Sequence, residues 1–548
     1  MLKPRVLLIH ANPFQQVMPV PPYGLERLRT AVEDLADVRI LDPYLVADDP
    51  LARTASEIGA FCPDLIGLGI RVVEDCVVID SLEGPAATDV YSFLPEIRAL
   101  RDQVAECAPA LPMIVGGAAF SYFPHELLEL LAIEHGVVGA GEQVMRRVVE
   151  RLAAGEDWRS APGLTHRGGR GAPPAPAMTF IDLTRREPLY GPSLGIPIRT
   201  RIGCAMQCTY CLTASLGRRH AVDESEAVLA ELERVVLEVE KRGAWAEIFF
   251  ADDEFNLPES GHALRILEGA VEHGLAGRFV WRAYFNPTPF DDELARMIKA
   301  TGGHVSLTTD SASDAVLAKN GKPFRRRHLD STVELLIKHQ ISADLGFIFG
   351  LPGETGETLR DSLDFIRQLP PQIGVYYSSG ARVYPHTPLA ELALADPGGL
   401  PEGAVIGLEP VAYSRPWPPR ELARFLAAEL AGYDNVCLVG AGFARATRFQ
   451  GLGLRALSGE AESVRIVDWA KAIDAARGGG YHQQPSEALE SLIALALWHG
   501  RPDLAALATK AMLALPRSER NRSWLSLRVA LFRQRLGGRS VLSVAESR

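Results

Sequence analysis

The chain has 548 residues, of which 47% are apolar and 23% are charged, and its net charge is −11. This length exceeds what one hydrophobic core usually supports, so we expect about three domains. The acidic balance argues against an extended nucleic-acid surface, and the sequence has neither a signal-peptide pattern nor an apolar run that could span a membrane. These properties predict a soluble, cytoplasmic protein.

Residues 1–155 alternate short apolar runs with amphipathic stretches. The apolar runs predict buried strands, and leucine and valine at helical spacing predict a helix after the first of them; the predicted strands are residues 6–9, 65–70 and 113–115, and the helical positions are Leu25, Leu28, Val32 and Leu35. This order is typical of a doubly wound, Rossmann-like parallel sheet. Because ligands bind such sheets at the carboxyl ends of strands, loops 10–23, 71–75 and 116–121 are the candidate binding loops.

Residues 156–195 are rich in Gly, Pro and Arg and are predicted to form a linker with one short hairpin. Residues 196–390 return to alternating strands and helices, with predicted strands at 196–202, 247–250, 279–284, 304–307, 344–349 and 373–377 and helices at 226–241 and 327–339. Six βα units in series predict an open, partial (β/α) barrel. Residues 391–548 are expected to form a mainly helical domain that caps the barrel or shapes the substrate site.

Three cysteines, Cys204, Cys208 and Cys211, follow the first predicted barrel strand with C-x3-C-x2-C spacing. Three thiolates can hold three irons of a 4Fe–4S cluster and leave the fourth iron open to a small molecule. Zinc is the alternative, but a structural zinc site needs a fourth protein ligand, and no Cys or His stands at zinc-finger spacing.

The chain has seven cysteines, an odd number, which favours a reducing compartment over a disulfide framework. The four scattered cysteines are expected to be small buried apolar residues; they are Cys62, Cys76, Cys107 and Cys437.

The cysteine motif, with Tyr210 just before its last cysteine, resembles the cluster signature of the radical S-adenosylmethionine (SAM) superfamily. Loops after later barrel strands resemble that superfamily's SAM-binding segments. The resemblance implies that SAM contacts Tyr210, Asp252, Asp253, Glu254, Asp310, Ser311, Gly346, Ile348, Gly350 and Leu351. A carboxylate in the first of these segments suits the ammonium of SAM, although the same acidic residues could instead begin a helix.

The N-terminal region resembles the cobalamin-binding domains of the cobalamin-dependent branch of this superfamily. The implied cobalamin contacts are His10, Pro22, Tyr23, Gly24, Arg71, Val72, Gly116, Gly117, Ala118, Gly141 and Glu142. The Asp-x-His-x-x-Gly loop that supplies a cobalt-ligating histidine in other cobalamin proteins is absent. The resemblance therefore implies a cobalamin with no protein imidazole beneath the metal.

Arg71 is predicted to be catalytic, because the resemblance places it beside the lower face of the corrin. A guanidinium has no lone pair to donate to cobalt and opposes further positive charge there. The alternative is an ordinary surface ion pair of Arg71 with Glu74 or Asp75.

The resemblance as a whole implies a cobalamin-dependent radical SAM methyltransferase. It would move a methyl group from SAM via methylcobalamin to a carbon of a small-molecule, natural-product-like substrate. The implied cofactors are a 4Fe–4S cluster, SAM and cobalamin, and the implied partners are the substrate and an external flavodoxin-like or ferredoxin-like electron donor. A monomer or weak dimer that binds neither nucleic acid nor membrane is expected.

Three rival functions stay open at this point. A cobalamin-dependent rearrangement or cyclisation would use the same residues without net methylation, and a polar methyl transfer to an sp2 carbon would use the cluster without a radical in every turnover. A non-enzymatic cobalamin-binding module is the third.

Overall fold

The computed structural model describes residues 3–13, 20–47, 49–74, 92–167, 195–215, 221–222, 224–241, 246–439, 441–458, 462–477 and 485–516. Within these ranges, no helix is both long and apolar enough to cross a membrane. The chain forms two mainly parallel sheets with helices packed on them, followed by a helical C-terminal region.

The first sheet contains six strands in the order β2-β1-β3-β4-β5-β6. They are β1 (Arg5–His10), β2 (Asp37–Leu41), β3 (Leu65–Gly69), β4 (Met113–Gly116), β5 (His135–Gly136) and β6 (Thr165–His166). The first five are parallel, and β6 runs antiparallel to β5. The helices of this first domain are α1 (Tyr23–Val32), α2 (Pro43–Val46), α3 (Pro50–Phe61), α4 (Leu94–Cys107), α5 (Ala118–Tyr122), α6 (Pro124–Leu131) and α7 (Glu142–Ala154).

Both faces of the first sheet are buried. Along β1, Val6 and Leu8 belong to the core that includes side chains of α1 and α7, whereas Leu7 and Ile9 belong to the core that includes side chains of α3 and α4. Alternate side chains of a strand point to opposite faces, so a continuous apolar run is what a sheet covered on both sides requires. The predicted doubly wound, Rossmann-like sheet is confirmed.

The linker predicted at residues 156–195 starts later than predicted. Trp158 and Leu164 are buried in the first domain, and β6 closes the edge of its sheet. Pro162 and Gly163 form a turn, and the apolar side chains on either side of it pack against the first sheet. The predicted hairpin lies mostly outside the described residues, which resume at 195.

The second sheet contains seven parallel strands in the order β17-β14-β13-β12-β11-β10-β7. They are β7 (Ile196–Ile198), β10 (Ala246–Phe250), β11 (Phe279–Phe285), β12 (Gly303–Asp310), β13 (Ser342–Phe349), β14 (Ile373–Ser379) and β17 (Val436–Leu438). Six of them match the predicted strands, and the sheet does not close on itself, so the partial barrel is confirmed. The seventh comes from the region predicted to be mainly helical.

The remaining elements of the barrel region are helices and two antiparallel strand pairs. The pairs are β8 (Arg201–Ile202) with β9 (Ala221–Val222), and β15 (Ala381–Arg382) with β16 (Ala412–Tyr413). The helices are α8 (Leu212–Ser215), α9 (Ser225–Lys241), α10 (Gly261–Glu272), α11 (Asp292–Thr301), α12 (Asp314–Lys319), α13 (Arg326–Lys338), α14 (Gly356–Gln368), α15 (Pro388–Ala395) and α16 (Pro419–Glu429).

The strand predicted at residues 196–202 is two strands, β7 and β8. Between them, the backbone N–H groups of Thr200 and Arg201 donate to Asp252 Oδ1 over 2.8 and 3.0 Å. A side-chain carboxylate thus replaces the neighbouring strand as hydrogen-bond acceptor. The chain leaves the sheet at this point and enters the cysteine loop, residues 203–211.

The C-terminal helices are α17 (Ala441–Ser458), α18 (Glu462–Ala476), α19 (Pro485–Trp498) and α20 (Pro502–Leu513). They surround a separate apolar core that includes Trp469. Leu454 and Leu495 also pack against Leu45 of the first domain, and Trp498 packs into the barrel core. The helical region therefore contacts both domains.

The scattered cysteines are not the buried apolar residues that we predicted. Cys62 and Cys107 are exposed, Cys437 is half-buried, and Cys76 lies outside the described residues. Cys62 follows the end of α3 in the left-handed conformation (φ 47°), and Cys107 is the last residue of α4. Both stand at helix ends that face solvent, a position that the spacing of cysteines alone does not reveal.

Candidate functional site

The three predicted cluster cysteines lie together in the cysteine loop. Cys208 is buried, Cys204 and Cys211 are half-buried, and all three pack with Met206 and Leu257. Burial raises the pKa of the Cys204 thiol to about 12 and that of Cys208 to about 11. Without a metal both sulfurs are therefore protonated at neutral pH, so binding of iron must release these protons.

The cysteine loop is held by the turn that follows α12. The backbone N–H of Thr209 donates to the Asn320 carbonyl over 3.2 Å, and its hydroxyl lies 3.0 Å from Asn320 Oδ1. The Asn320 amide donates in turn to the Pro352 carbonyl after β13, over 2.9 Å. A Cβ on Gly321 would lie 2.4 Å from the Gln207 carbonyl oxygen, so only glycine fits this turn. The loop is thus positioned by its neighbours before any ligand binds.

Three cysteine sulfurs on one loop can hold three irons of a 4Fe–4S cluster, one iron each. Across the part of the chain that the structure describes, no three His, Cys, Asp or Glu side chains form a group that could hold one metal ion.

Tyr210 and Asp310 meet beside the cysteines, together with Lys322, which we did not predict. The Tyr210 hydroxyl donates to Asp310 Oδ2, and Lys322 Nζ lies 2.6 Å from the same oxygen. Burial lowers the pKa of Lys322, but Asp310, Tyr210 and Cys208 together raise it well above its ordinary value. Asp310 is thus an internal partner of a buried cation. It adopts a left-handed conformation (φ 61°) at an irregularity between β12 and β13.

The three acidic residues after β10, Asp252 to Glu254, have different surroundings. Asp252 is buried and accepts from the backbone of the β7–β8 turn and from the Thr200 hydroxyl (2.6 Å), so its carboxylate is already engaged within the protein. Asp253 is exposed and accepts from Thr213 Oγ1 over 3.3 Å. Glu254 is buried and accepts from Thr308 Oγ1 over 2.6 Å.

Glu254 is the buried acidic side chain of this segment that can still accept a hydrogen bond. Within the described ranges its Oε2 atom has no hydrogen-bond partner, and burial raises its pKa to about 8. A buried carboxyl with an unused oxygen can accept a hydrogen bond from a bound ligand.

Four of the other predicted SAM contacts pack against neighbouring parts of the protein. Ser311 is buried and its hydroxyl lies 3.2 Å from that of Ser362 on α14, and Leu351 lies in a core formed with β15 and β16. Gly346 and Gly350 make room for other side chains of the protein: an added Cβ would lie 2.6 Å from the Tyr376 hydroxyl and 2.7 Å from Ser414 Oγ, respectively. Ile348, by contrast, is half-buried on the inner face of the barrel.

The predicted cobalamin loops of the first domain meet at the carboxyl edge of its sheet, and several of them are exposed there. Gly24, Gly117 and Ala118 are exposed, and a Cβ on Gly24 would meet nothing within 4 Å. Half-buried residues complete this edge, namely Tyr23, Arg71, Val72, Gly116 and Gly141. A row of small side chains with accessible backbone leaves space for a large, flat ligand.

Three of the predicted cobalamin contacts are buried and have other roles. The His10 ring lies 3.0 Å from Asp42 Oδ2, and only 3% of His10 is exposed. Glu142 forms an ion pair with Arg27 that links the starts of α1 and α7. Pro22 begins α1 and is buried. The side chains of these three residues lie beneath the surface of the edge and support it. A position after a strand or at the start of a helix does not by itself place a side chain on that surface.

Arg71 lies at the same edge and acts across the gap between the domains. Burial raises the pKa of Tyr284 near the end of β11, while the charges of Arg282 and, more weakly, Arg71 lower it. The side chain of Tyr284 is 41% exposed, so it borders open space near the end of β11. The Glu74 carboxylate, one of the two alternative partners predicted for Arg71, contacts Arg382 and Tyr384; the other, Asp75, lies outside the described residues.

The two domains are joined by a buried ion pair. Arg382 Nε donates to Glu74 Oε2 over 2.9 Å, the Tyr384 hydroxyl donates to the other carboxylate oxygen, and both charged side chains are almost fully buried. The hydroxyl of Tyr122 also donates to the Pro385 carbonyl. These contacts hold the edge of the first sheet against the barrel segment that follows β14.

The outer side of the cysteine loop borders a surface cleft of about 480 Å³. Its lining includes Ala205 and Met206 from the loop, Leu257 and Glu259 after β10, and Pro289 after β11. Groups held by the cysteines would therefore lie close to the protein surface on this side.

Comparisons with known proteins agree with this geometry. Residues 199–366 match the Radical SAM superfamily. The chain is 26% identical over 461 residues to the tryptophan 2-C-methyltransferase of Streptomyces laurentii, covering 69% of this chain and 73% of that protein.

Two solved structures share the fold over nearly the whole chain. One is the radical SAM methyltransferase TsrM of Kitasatospora setae with cobalamin and an iron–sulfur cluster bound (22% identity, TM-score 0.68, 93% of this chain and all of that one). The other is the cobalamin-dependent SAM radical enzyme OxsB (15% identity, TM-score 0.59, 97% of this chain and 83% of that one). Residues 199–366 thus form a radical SAM domain, and the chain as a whole has the fold of the cobalamin-dependent enzymes of that superfamily.

Proposed function

We propose that this protein is a cobalamin-dependent radical SAM methyltransferase that methylates a carbon of a small molecule. The observation that carries the proposal is that two sets of loops, one from the barrel and one from the first domain, lie on the two sides of the domain interface. A three-cysteine loop lies on the barrel side, and a row of small, accessible residues lies on the first domain. A radical SAM enzyme without cobalamin would not need the second set, and a cobalamin-binding module would not need the first.

Cys204, Cys208 and Cys211 would hold the cluster, whose fourth iron binds SAM. Asp253 and Glu254 are the acidic residues in a position to receive the SAM ammonium, because Asp252 is engaged with the backbone. Half-buried Ile348 offers an apolar contact on the inner face of the barrel. These assignments replace the wider set implied by sequence resemblance.

Tyr23, Gly24, Arg71, Val72, Gly116, Gly117, Ala118 and Gly141 would contact the cobalamin. When bound, the cofactors supply the electron transfer and the methyl group, while the protein positions the substrate between them and excludes water. Arg71 would face the cobalt without ligating it, because a guanidinium has no lone pair to donate. Replacement by His, which can ligate, should change the visible spectrum of bound cobalamin, whereas an unchanged spectrum would remove this role from Arg71.

The substrate would occupy the space lined by Tyr284 and the inner face of the barrel. The relative from Streptomyces laurentii is named for methylation of tryptophan, so indole-containing and other aromatic small molecules are the first substrates to test. We expect the protein to work with an external flavodoxin-like or ferredoxin-like donor that delivers electrons through the cleft beside the cysteine loop, and to be a monomer or weak dimer.

An anaerobic turnover experiment tests the proposed function. The full chain is reconstituted with iron, sulfide and cobalamin, then reduced in the presence of SAM and candidate substrates, and two products are counted. S-adenosylhomocysteine together with 5′-deoxyadenosine supports radical methylation, and S-adenosylhomocysteine alone supports polar methyl transfer. 5′-Deoxyadenosine alone supports a rearrangement or cyclisation. Cobalamin binding with neither product from any substrate would indicate a binding module and refute the enzyme assignment.

A matched variant pair makes the test specific. Cys208→Ser should lose the cluster and both products, because a serine hydroxyl is a poor replacement for a thiolate on iron. Cys107→Ser changes an exposed cysteine at the end of α4 and should leave iron content and products unchanged.

A further inference from the structure

Lys322 is a buried cation next to the cysteine loop, and no motif in the sequence points to it. It lies in the turn between α12 and α13, and its side chain is only 2% exposed. An ammonium without a partner is costly to bury. Lys322 has Asp310 as a partner, with 2.6 Å between Nζ and Oδ2. This ion pair explains how the charge is tolerated but not why it stands beside the cysteines.

The surroundings of Lys322 point to the cluster site. Its Nζ lies 5.6 Å from the centre of the Tyr210 ring, and its charge lowers the pKa of the Cys208 thiol, although burial raises that pKa more. A lysine ammonium carries three N–H donors on one atom. Here the ammonium contacts a carboxylate and an aromatic face, and the aromatic ring belongs to the cysteine loop, between Cys208 and Cys211.

The backbone keeps Lys322 in this position. Asn320 and Gly321 immediately before it are packed against Thr209 and Gln207 of the cysteine loop. Because the turn and the loop are joined by backbone contacts, the distance from Nζ to Cys208 does not depend on a flexible surface side chain.

We propose that Lys322 positions the cluster and raises its reduction potential through a charge-assisted hydrogen bond to Cys208. The inference rests on the proposed function, because it requires that Cys208 ligates iron. Reduction adds one negative charge to the cluster, so a nearby cation stabilises the reduced form, and a hydrogen bond to a ligating sulfur acts in the same direction. Asp310 offsets part of this effect and keeps Lys322 charged.

The test is the midpoint potential of the reconstituted full-length protein, measured by an EPR-monitored redox titration in the absence of substrate. Lys322→Met keeps the apolar stem but removes the charge and all three donors, so its potential should fall below that of the wild type. Lys322→Arg keeps a charged donor and should restore most of the difference. Tyr210→Phe removes the hydroxyl contact to Asp310 but leaves the ammonium beside Cys208, so it should stay near the wild-type potential.

A second variant covers the case in which Lys322→Met fails to load iron because Asp310 is left buried without its partner. The double variant Lys322→Met/Asp310→Asn removes both charges of the pair and should fold and load. Its potential should lie between those of Lys322→Met and the wild type, since the charge of Lys322 acts on Cys208 more strongly than that of Asp310. A double variant at or above the wild-type potential would overturn the proposal.

The outcomes separate this inference from the proposed function. If the wild-type chain binds no 4Fe–4S cluster, the proposed function fails and the inference fails with it. If the wild type loads a full cluster but Lys322→Met has an unchanged potential, only the inference fails. Equal shifts in Lys322→Met and Lys322→Arg would show that packing rather than charge is responsible, and would also overturn it.

Discussion

The buried ion pair between the two domains allows a quantitative prediction for Glu74→Ala. In the wild type, only 1% of the Glu74 side chain and 4% of the Arg382 side chain are exposed. The substitution leaves the Arg382 guanidinium with carbonyl acceptors at Val383, Gly407 and Leu408 but without a compensating charge. Removing one partner of a buried pair costs about 3–5 kcal/mol. We therefore expect the interface to open more easily by that amount.

Hydrogen exchange measures this opening locally, so global unfolding of a multidomain chain does not need to be interpreted. The backbone N–H of Val383 donates to the Val411 carbonyl over 2.8 Å and is a direct reporter. At about 1.4 kcal/mol per factor of ten, its exchange should accelerate roughly 100-fold to 4,000-fold in Glu74→Ala. The double variant with Arg382→Met should recover part of the protection, because no unpaired buried charge remains.

The exposed pair of Asp34 and Arg146 is the matched control. It has good geometry, at 2.8 Å, but its side chains are 57% and 42% exposed. Exposed ion pairs contribute about 0–1 kcal/mol, so Asp34→Ala should change exchange in α7 less than about 5-fold. An exchange rate at Val383 in Glu74→Ala that stays within this control range would refute the reasoning.

Three further predictions concern the site. Burial raises the Glu254 pKa from 4.5 to about 8, so the folded apo-protein binds more protons than the unfolded chain between these values. Its stability should fall by up to roughly 5 kcal/mol as pH rises from about 4.5 to 8. Glu254→Gln should flatten that slope in urea unfolding. Gly117→Ala should destabilise the first domain by more than about 1–3 kcal/mol in thermal unfolding, because φ is 107° and the new Cβ would lie 2.3 Å from the Ile70 carbonyl oxygen. Gly24→Ala adds a methyl into open space within α1 and should stabilise the apo-protein by about 0.5–1 kcal/mol while weakening hydroxocobalamin binding in a titration.

The elements of both sheets could be predicted because long apolar runs have few alternatives in a buried parallel sheet. The six predicted barrel strands all exist, and the strands of the two large sheets that were not predicted are β2, β5, β6 and β17. β5 and β6 have two residues each, too few for a periodic pattern, and β17 is a three-residue strand in a region predicted to be mainly helical. β2, β6 and β17 lie at sheet edges, so their position depends on the strand that they pair with.

The site was predicted at the level of loops, but several of the predicted side chains also contact neighbouring parts of the protein. Motif position placed Asp252 and Ser311 near SAM, whereas the first caps a backbone turn and the second packs against α14. Whether a polar side chain faces a ligand or a neighbouring turn depends on tertiary contacts that spacing does not encode. Lys322 was missed for the related reason that its turn meets the cysteine loop from 111 residues away in the sequence.

The contact between Glu74 and Arg382 spans 308 residues of sequence. Domains generally fold as units, starting from the N-terminus during synthesis. The first sheet is complete once β6 has emerged from the ribosome, but the ion pair that joins it to the barrel cannot form until β15 has followed. During that interval the carboxyl edge of the first sheet faces open solvent, so a bulky cofactor can bind there from the side that the barrel later covers. Under the proposed function, the order of the domains along the chain would let cobalamin bind before the barrel covers this edge.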